Sequence, residues 1–328
     1  MKLLPSLTVC LLWCCFACTS QSTHQAKKLS DTLAVITEKD LIPEGTAYDP
    51  LTKQVFVSST YKRKIVAIRE DGTYYDFVKE AENDLWSTIG MEVDTVRKKL
   101  WVISAKSKYV LVSRIPTPPP EWQSKLICYS LPSGTLEASY LLPPDFGKAF
   151  LNDLTVAHDG SVYATESVGN VVYVLPNGAS EIKKFLSPVV GYTFLNGLTF
   201  SPDNSTLFVA STEGILAVDM KTRAYKSLRA DSLIRTGACD GLAFYRNSLI
   251  GHQSKIVTRF YLNERLDSII RSEVVDDKQL NSSTTGEIGG EWYYYIANSQ
   301  IRSGIDYSTM RIKPLDSLQN IIIKRKKL

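Results

Sequence analysis

Apolar and polar positions alternate along this chain in short runs that recur at a nearly fixed interval. Each unit opens on a polar or special residue, usually followed by Gly or Asp. An apolar alternation, a turn and a second apolar strand come next. Units begin at Glu44 (EGTAYDP), Ile89 (IGMEVD), Asn152 (NDLTVAHDG), Asn196 (NGLTFSPDN), Asp240 (DGLAF) and Thr285 (TGEIGG). Four of the five spacings are 44 or 45 residues, the length of a four-stranded propeller blade. The interval from Ile89 to Asn152 is 63 residues and implies an insertion in the second blade, over Ala105–Lys125.

Every unit also closes on serine, at Ser59, Ser104, Ser167, Ser211, Ser254 and Ser299, and the intervening turns carry Asp-Pro, Asp-Gly and Pro-Asp-Asn. The pattern predicts an all-β, six-bladed β-propeller with four-stranded blades. Blade 3 is expected to use Leu154–Ala157, Ser161–Glu166, Asn170–Leu175 and Ile182–Phe185. The last blade is expected to be closed by both chain ends, with Ile321–Lys326 as its third strand and Leu33–Thr37 as its fourth, which removes an open edge. No long segment has a helical period and no second domain is visible, so residues 32–328 read as one domain; separately, a monomer is expected.

The N-terminus falls outside that pattern. Lys2 precedes an apolar stretch, Leu3–Ala17, too short to span a bilayer comfortably. It ends in Cys15-Phe16-Ala17-Cys18. A small residue before a cysteine at this place resembles the lipobox of exported lipoproteins, with Cys18 as the acylated residue. An ordinary cleaved signal peptide is the alternative, giving a secreted soluble protein. Residues 1–18 are read as the export signal and 19–31 as a flexible tether. The expected location is the cell envelope, with the membrane reached through the lipid alone.

Composition is that of a globular protein, 44% apolar and 22% charged, and the net charge of +4 shows no footprint for nucleic acid. The one basic run, Lys324–Lys327, reads as charge guarding an edge strand. Past the signal only Cys128 and Cys239 remain, which excludes an all-thiolate zinc site. They read as two separate buried thiols, with pairing left open. A nucleophile elbow, a phosphate-binding glycine loop and an HExxH motif are all missing.

The candidate chemistry lies at the unit starts. The innermost strand of each blade begins at one face of the central channel, so the starts converge on the axis. Four of them are oxygen donors: Glu44, Asn152, Asn196 and Asp240. Two carboxylates and two amide carbonyls make a hard-oxygen set that balances one divalent cation and leaves positions for water or substrate. Asn and Asp also begin strands for purely local reasons, but four in one register favour a Ca²⁺ site, other divalent metals being possible.

These motifs, with FLNDLTVAHDGSVYATES (Phe150–Ser167), FLNGLTFSPDNSTLFVAS (Phe194–Ser211), PEGTAYDP (Pro43–Pro50) and CDGLAF (Cys239–Phe244), resemble the senescence-marker-protein/gluconolactonase (regucalcin-like) family, related to paraoxonases and diisopropyl fluorophosphatase. The resemblance runs from about Ile42 to the C-terminus. It implies Ca²⁺ held by Glu44, Asn152, Asn196 and Asp240, and hydrolysis of a small-molecule lactone, ester or phosphotriester. It also implies Asp240 as ligand and general base, with Glu44 the second choice as base. Paraoxonases use a histidine pair; of His24, His158 and His252, only His252 is placed to approach the metal face. Loops at that face suggest Phe146, Phe150, Tyr192, Phe194 and Arg235 as pocket residues, Arg235 for an anionic group, and the blade 2 insertion as a lid. The expected function is a calcium-dependent lactonase or esterase. The alternatives are a calcium-stabilised binding module and a phosphotriesterase.

Overall fold

The computed structural model describes Met1 and residues 31–107, 122–187 and 189–328. The expected lipidation residue Cys18, the signal, nearly all of the tether and most of the blade 2 insertion lie outside the described residues. Asp31–Leu328 form one compact unit. It is a six-bladed propeller in which every blade is a four-stranded antiparallel sheet. The innermost strands are Pro43–Asp49, Ser87–Asp94, Leu151–Val156, Leu198–Phe200, Leu242–Phe244 and Gly286–Gly289. In blade 3 the strands are Leu151–Val156, Val162–Glu166, Val171–Leu175 and Lys183–Leu186, each within a few residues of expectation.

Both faces of each blade are buried, which is why the second strands read as unbroken apolar runs rather than a clean alternation. In Gln54–Ser59 the side chains of Val55 and Val57 join a cluster shared with blade 6, whereas Phe56 between them joins one shared with blade 2. The same device repeats around the ring, with one apolar cluster at each joint between neighbouring blades.

Hydrogen bonds close the same joints near the axis. Ser58 Oγ donates to Ile89 O (2.7 Å), Thr165 Oγ1 to Asn196 O (2.7 Å), Gly197 N to Asp240 O (2.6 Å) and Gly241 N to Thr284 O (2.9 Å). Thr284 and Thr285 both donate to Glu44 O at 2.7 Å. Inner strands lie so close here that a side chain rarely fits behind the unit start. A Cβ on Gly90 would lie 2.5 Å from Asp153 Oδ1, and one on Gly197 2.5 Å from Leu242 N. This crowding explains the Gly that follows five of the six starts.

Blade 6 is closed as expected. Thr32–Ile36 pairs with Ile321–Lys327, which pairs with Trp292–Ile296, with Thr32 opposite Lys324 and Tyr295 opposite the same lysine. The basic run therefore sits on the third strand and not on an edge. Its charges are matched locally, Lys324 by Asp276 (2.8 Å) and Lys327 by Glu291 (3.0 Å). Cys128 and Cys239 are separate, free and buried.

Candidate metal centre and pocket

The strand starts bring Glu44, Asn152, Asn196 and Asp240 onto the wall of a single cavity of about 310 Å³ at one end of the channel. Three of the four are approached through strained backbone. Ile42, Phe194 and Ala238, each two residues before its site residue, have φ of 43°, 53° and 55°. Left-handed backbone in non-glycine residues costs on the order of 1 kcal/mol, and most for β-branched Ile42. At Ile42 the surroundings hold it: its carbonyl accepts from Thr60 N (3.1 Å) and Thr60 Oγ1 (2.8 Å).

The amides are oriented by their donors. Asn152 Nδ2 donates to Ser167 Oγ (2.9 Å), and Ser167 Oγ in turn to Leu195 O (2.6 Å). Asn196 Nδ2 donates to Asp240 Oδ1 (2.7 Å). Both arrangements leave an amide oxygen for another partner. The repeated closing serine thus has a specific task in blade 3, where it fixes a site residue and ties it to blade 4.

Glu44 is buried, and among the described residues no hydrogen-bond donor reaches its carboxylate oxygens. Desolvation, with the charges of Asp240 and Asp153, pushes its carboxyl well above the ordinary range. Asp240 is raised to about 6, by desolvation against the opposing hydrogen bond from Asn196 and the charge of Arg302. A buried carboxylate without a donor is costly unless a cation joins it. The donor set, two carboxylates and two amide oxygens, fits a hard divalent ion such as Ca²⁺. Among the described residues no three Asp, Glu, His or Cys side chains converge on one point, so the amides are integral to the set.

Farther along the channel lies a small polar cavity lined by Glu92, Asp153 and Glu287 with Thr46, Thr199 and Thr285. Burial raises Asp153 to about 8 and Glu287 to about 7, and holds Glu92 well above the carboxylate range with the help of Glu287's charge. The sequence reading missed this trio. Its one signal was Asp153, the acidic residue at the second position where the other units carry Gly.

Phe150 and Phe194 line the main cavity; Phe146, Tyr192 and Arg235 do not. Phe146 stacks on Tyr173 at 5.3 Å with Lys184 over its other face, packed within blade 3. Tyr192 turns to blade 4, its hydroxyl 2.7 Å from Ser227 Oγ. Arg235 is exposed, away from the cavity. In their place stand Ile301, Arg302 and Tyr307 from the long connection between the second and third strands of blade 6, together with Thr60, Thr212 and Ala238.

His252 is structural. It is fully buried, with Nδ1 2.8 Å from Ser283 Oγ and Nε2 2.6 Å from Tyr293 Oη. Ser283 Oγ spends its proton on Ile296 O (2.6 Å), so it accepts from Nδ1–H and Nε2 accepts from the tyrosine. Burial pushes its pKa down to about 3, leaving a neutral ring with no free lone pair. His158 lies in a turn, its backbone N bonded to Asn204 Oδ1. The Cys239 thiol borders the cavity, but burial lifts it to about 12, too high for a thiolate nucleophile at neutral pH.

No protein-family model and no curated protein sequence matches the chain. Solved structures do share its fold. A gluconolactonase from Xanthomonas campestris superposes with a TM-score of 0.61 at 17% identity, covering 90% of this chain and 89% of that one. A regucalcin from Agrobacterium tumefaciens, described as a calcium-binding protein, gives 0.59 at 13% identity over 89% and 93% of the two chains. A propeller in a nidogen/laminin complex gives 0.59 at 14% identity over 76% and 86%. At such identities the likeness establishes the architecture, and function must be argued from the site.

Proposed function

We propose that this propeller is a divalent-metal-dependent hydrolase of lactones or related esters, a member in function of the gluconolactonase/regucalcin group. The observation that carries the reading is the buried Glu44 carboxylate, without a donor, sharing one open cavity with Asp240, Asn152 and Asn196. Those four residues would hold the ion, Ca²⁺ by its preference for hard oxygen. A divalent ion so held supplies Lewis acidity toward a carbonyl oxygen. Asp240, whose carboxylate accepts one hydrogen bond among the described residues and so keeps an oxygen for another partner, would take a proton from the attacking water, with Glu44 as second choice. Phe150 and Phe194 give the substrate an apolar wall. The gluconolactonase and regucalcin folds support this reading.

The test is hydrolysis of a panel of lactones, aryl esters and an aryl phosphotriester by protein starting at Thr19, in calcium and in chelator. Turnover of a lactone or ester that vanishes in chelator and returns with calcium is expected. Turnover of the phosphotriester alone would move the substrate class. Tight calcium binding with no turnover would make the protein a binding module.

We also propose that the chain is exported and held at the membrane by acyl chains on Cys18, on the strength of the Ala17-Cys18 pair ending an apolar leader. Intact-mass measurement of protein made in a lipidating host should show an N-terminal, acylated Cys18. Cleavage elsewhere, with no added acyl mass, would refute the anchor.

A further inference from the structure

The connection between the second and third strands of blade 6 runs from Ala297 to Asn320 and returns to the cavity face. It is built to hold one residue still. Gln300 is tied on both sides, its Nε2 donating to Gln319 O (2.9 Å) and its Oε1 accepting from Gln319 N (2.8 Å). Ser303 Oγ accepts from Asn281 Nδ2 at 2.9 Å. Ile301 and Ile312 pack on a buried pair, Ile42 and Ile305, directly before the Glu44 strand. A short hairpin, Ile305–Asp306 with Arg311–Ile312, stiffens the rest, and Tyr307 Oη donates back to Ile301 O (2.8 Å).

Arg302 lies inside this frame. Its neighbours on both sides are anchored, and it lines the same cavity as the site carboxylates while remaining exposed to solvent. Among the described residues its guanidinium has no ion pair and no hydrogen-bond acceptor, although its charge is felt at Asp240 and Tyr307. An arginine held by its backbone at a pocket wall, with its fork unspent, is suited to bidentate recognition of an oxyanion. The charge balance points the same way. Glu44 and Asp240 would cancel a divalent ion, and among the described residues no carboxylate pairs with Arg302.

We propose that Arg302 is the specificity-determining residue of this pocket and that the substrate is a lactone or ester bearing a carboxylate, which Arg302 binds. The inference rests on the hydrolase reading for the word substrate; the anion site itself does not. Arg302, Phe150, Phe194 and the four oxygen donors line one cavity, so a carboxylate bound at Arg302 would place the rest of the molecule in the cavity that holds the donors.

Two measurements test it. The first compares a γ-lactone carrying a ring carboxylate with the same lactone as its primary carboxamide. The wild type should favour the carboxylate by about 10- to 100-fold in kcat/KM, the worth of a charge-assisted pair. In Arg302→Gln that ratio should collapse toward one, and Arg302→Lys should recover part of it. Calcium affinity should not fall in either variant, which separates loss of the anion site from damage to the metal centre. A wild-type ratio near one, or a ratio unchanged in Arg302→Gln, overturns the proposal while leaving the hydrolase reading intact.

The second is calorimetric binding of tetrahydrofuran carboxylate, which has no lactone carbonyl, to the calcium-loaded protein. Binding about 10- to 100-fold weaker in Arg302→Gln is expected. Absent binding, or equal binding by wild type and variant, refutes the anion site. If no lactone is hydrolysed at all, the hydrolase reading fails and this second measurement alone decides on Arg302.

Discussion

Asp240→Asn should lower kcat/KM for a hydrolysable lactone by about 10³-fold or more in saturating calcium, because one substitution removes the proposed general base and half of the negative charge proposed to face the ion. The change is nearly isosteric. An asparagine still offers an oxygen to Asn196 Nδ2, now 2.7 Å from the carboxylate, and the backbone bonds to His252 O and from Gly197 N do not involve the side chain. The ring should therefore fold. Glu44→Gln separates the two roles: it should weaken calcium on the order of 100-fold, and added calcium should restore much of the rate. Calorimetric titration with calcium and steady-state kinetics on the same preparations provide the check. Unchanged calcium affinity in both variants would show that the metal centre has been misassigned.

A second large effect concerns the metal-free protein. Glu44, Glu92, Asp153 and Glu287 all have carboxyls raised by burial, Glu287 to about 7 and Asp153 to about 8. In the unfolded chain they titrate near 4. Between those values the native state binds more protons than the unfolded state, so stability falls as pH rises. His252 acts in the opposite sense, but only below its unfolded value of 6.5, because above that it is neutral in both states. Surface aspartates with lowered values, such as Asp203 at about 2, are ionised in both states throughout this range. From pH 6.5 to about 8.5 the melting temperature in chelator should therefore drop by at least about 5 °C. Calcium should restore the part of the loss that comes from Glu44, with its largest gain at the alkaline end, where that carboxylate is charged and most in need of a partner, and should leave the part from Glu92, Asp153 and Glu287. Scanning calorimetry against pH, with and without calcium, measures this; a flat or rising profile in chelator would refute the burial argument.

The repeat was legible because two rules act locally and often. Side chains on the second strands alternate between two neighbouring blades, as Val55, Phe56 and Val57 do. Crowding at the axis forces Gly behind the unit start, as at Gly90 and Gly197. The four oxygen donors followed from that register alone. The rest of the pocket did not, because connections carry no period. Phe146 and Tyr192 were aromatic and near a site residue in sequence, but each found a closer apolar or polar partner within its own blade. Arg235 was the arginine sought for an anion, whereas Arg302 takes that wall through a connection whose course depends on Gln300, Gln319 and Asn281. One clue was present. With blade 6's second strand ending near Ser299 and its third starting at Ile321, some twenty residues had to cross the cavity face. The deep acids Glu92 and Glu287 were invisible for another reason: on an inner strand, glutamate has the same polarity signature whether it meets solvent or another carboxylate.

The strand that completes blade 6, Ile321–Lys327, lies between a strand from the start of the domain and one from its end. During synthesis the last blade therefore has no middle until Ile321–Lys327 has been made. Five blades emerge with the ring still open, and Thr32–Ile36 waits without its partner. Were the chain exported, as proposed above, this order would be an advantage. The polypeptide stays short of its closed, high-contact-order state until Ile321–Lys327 has emerged to join its two partner strands.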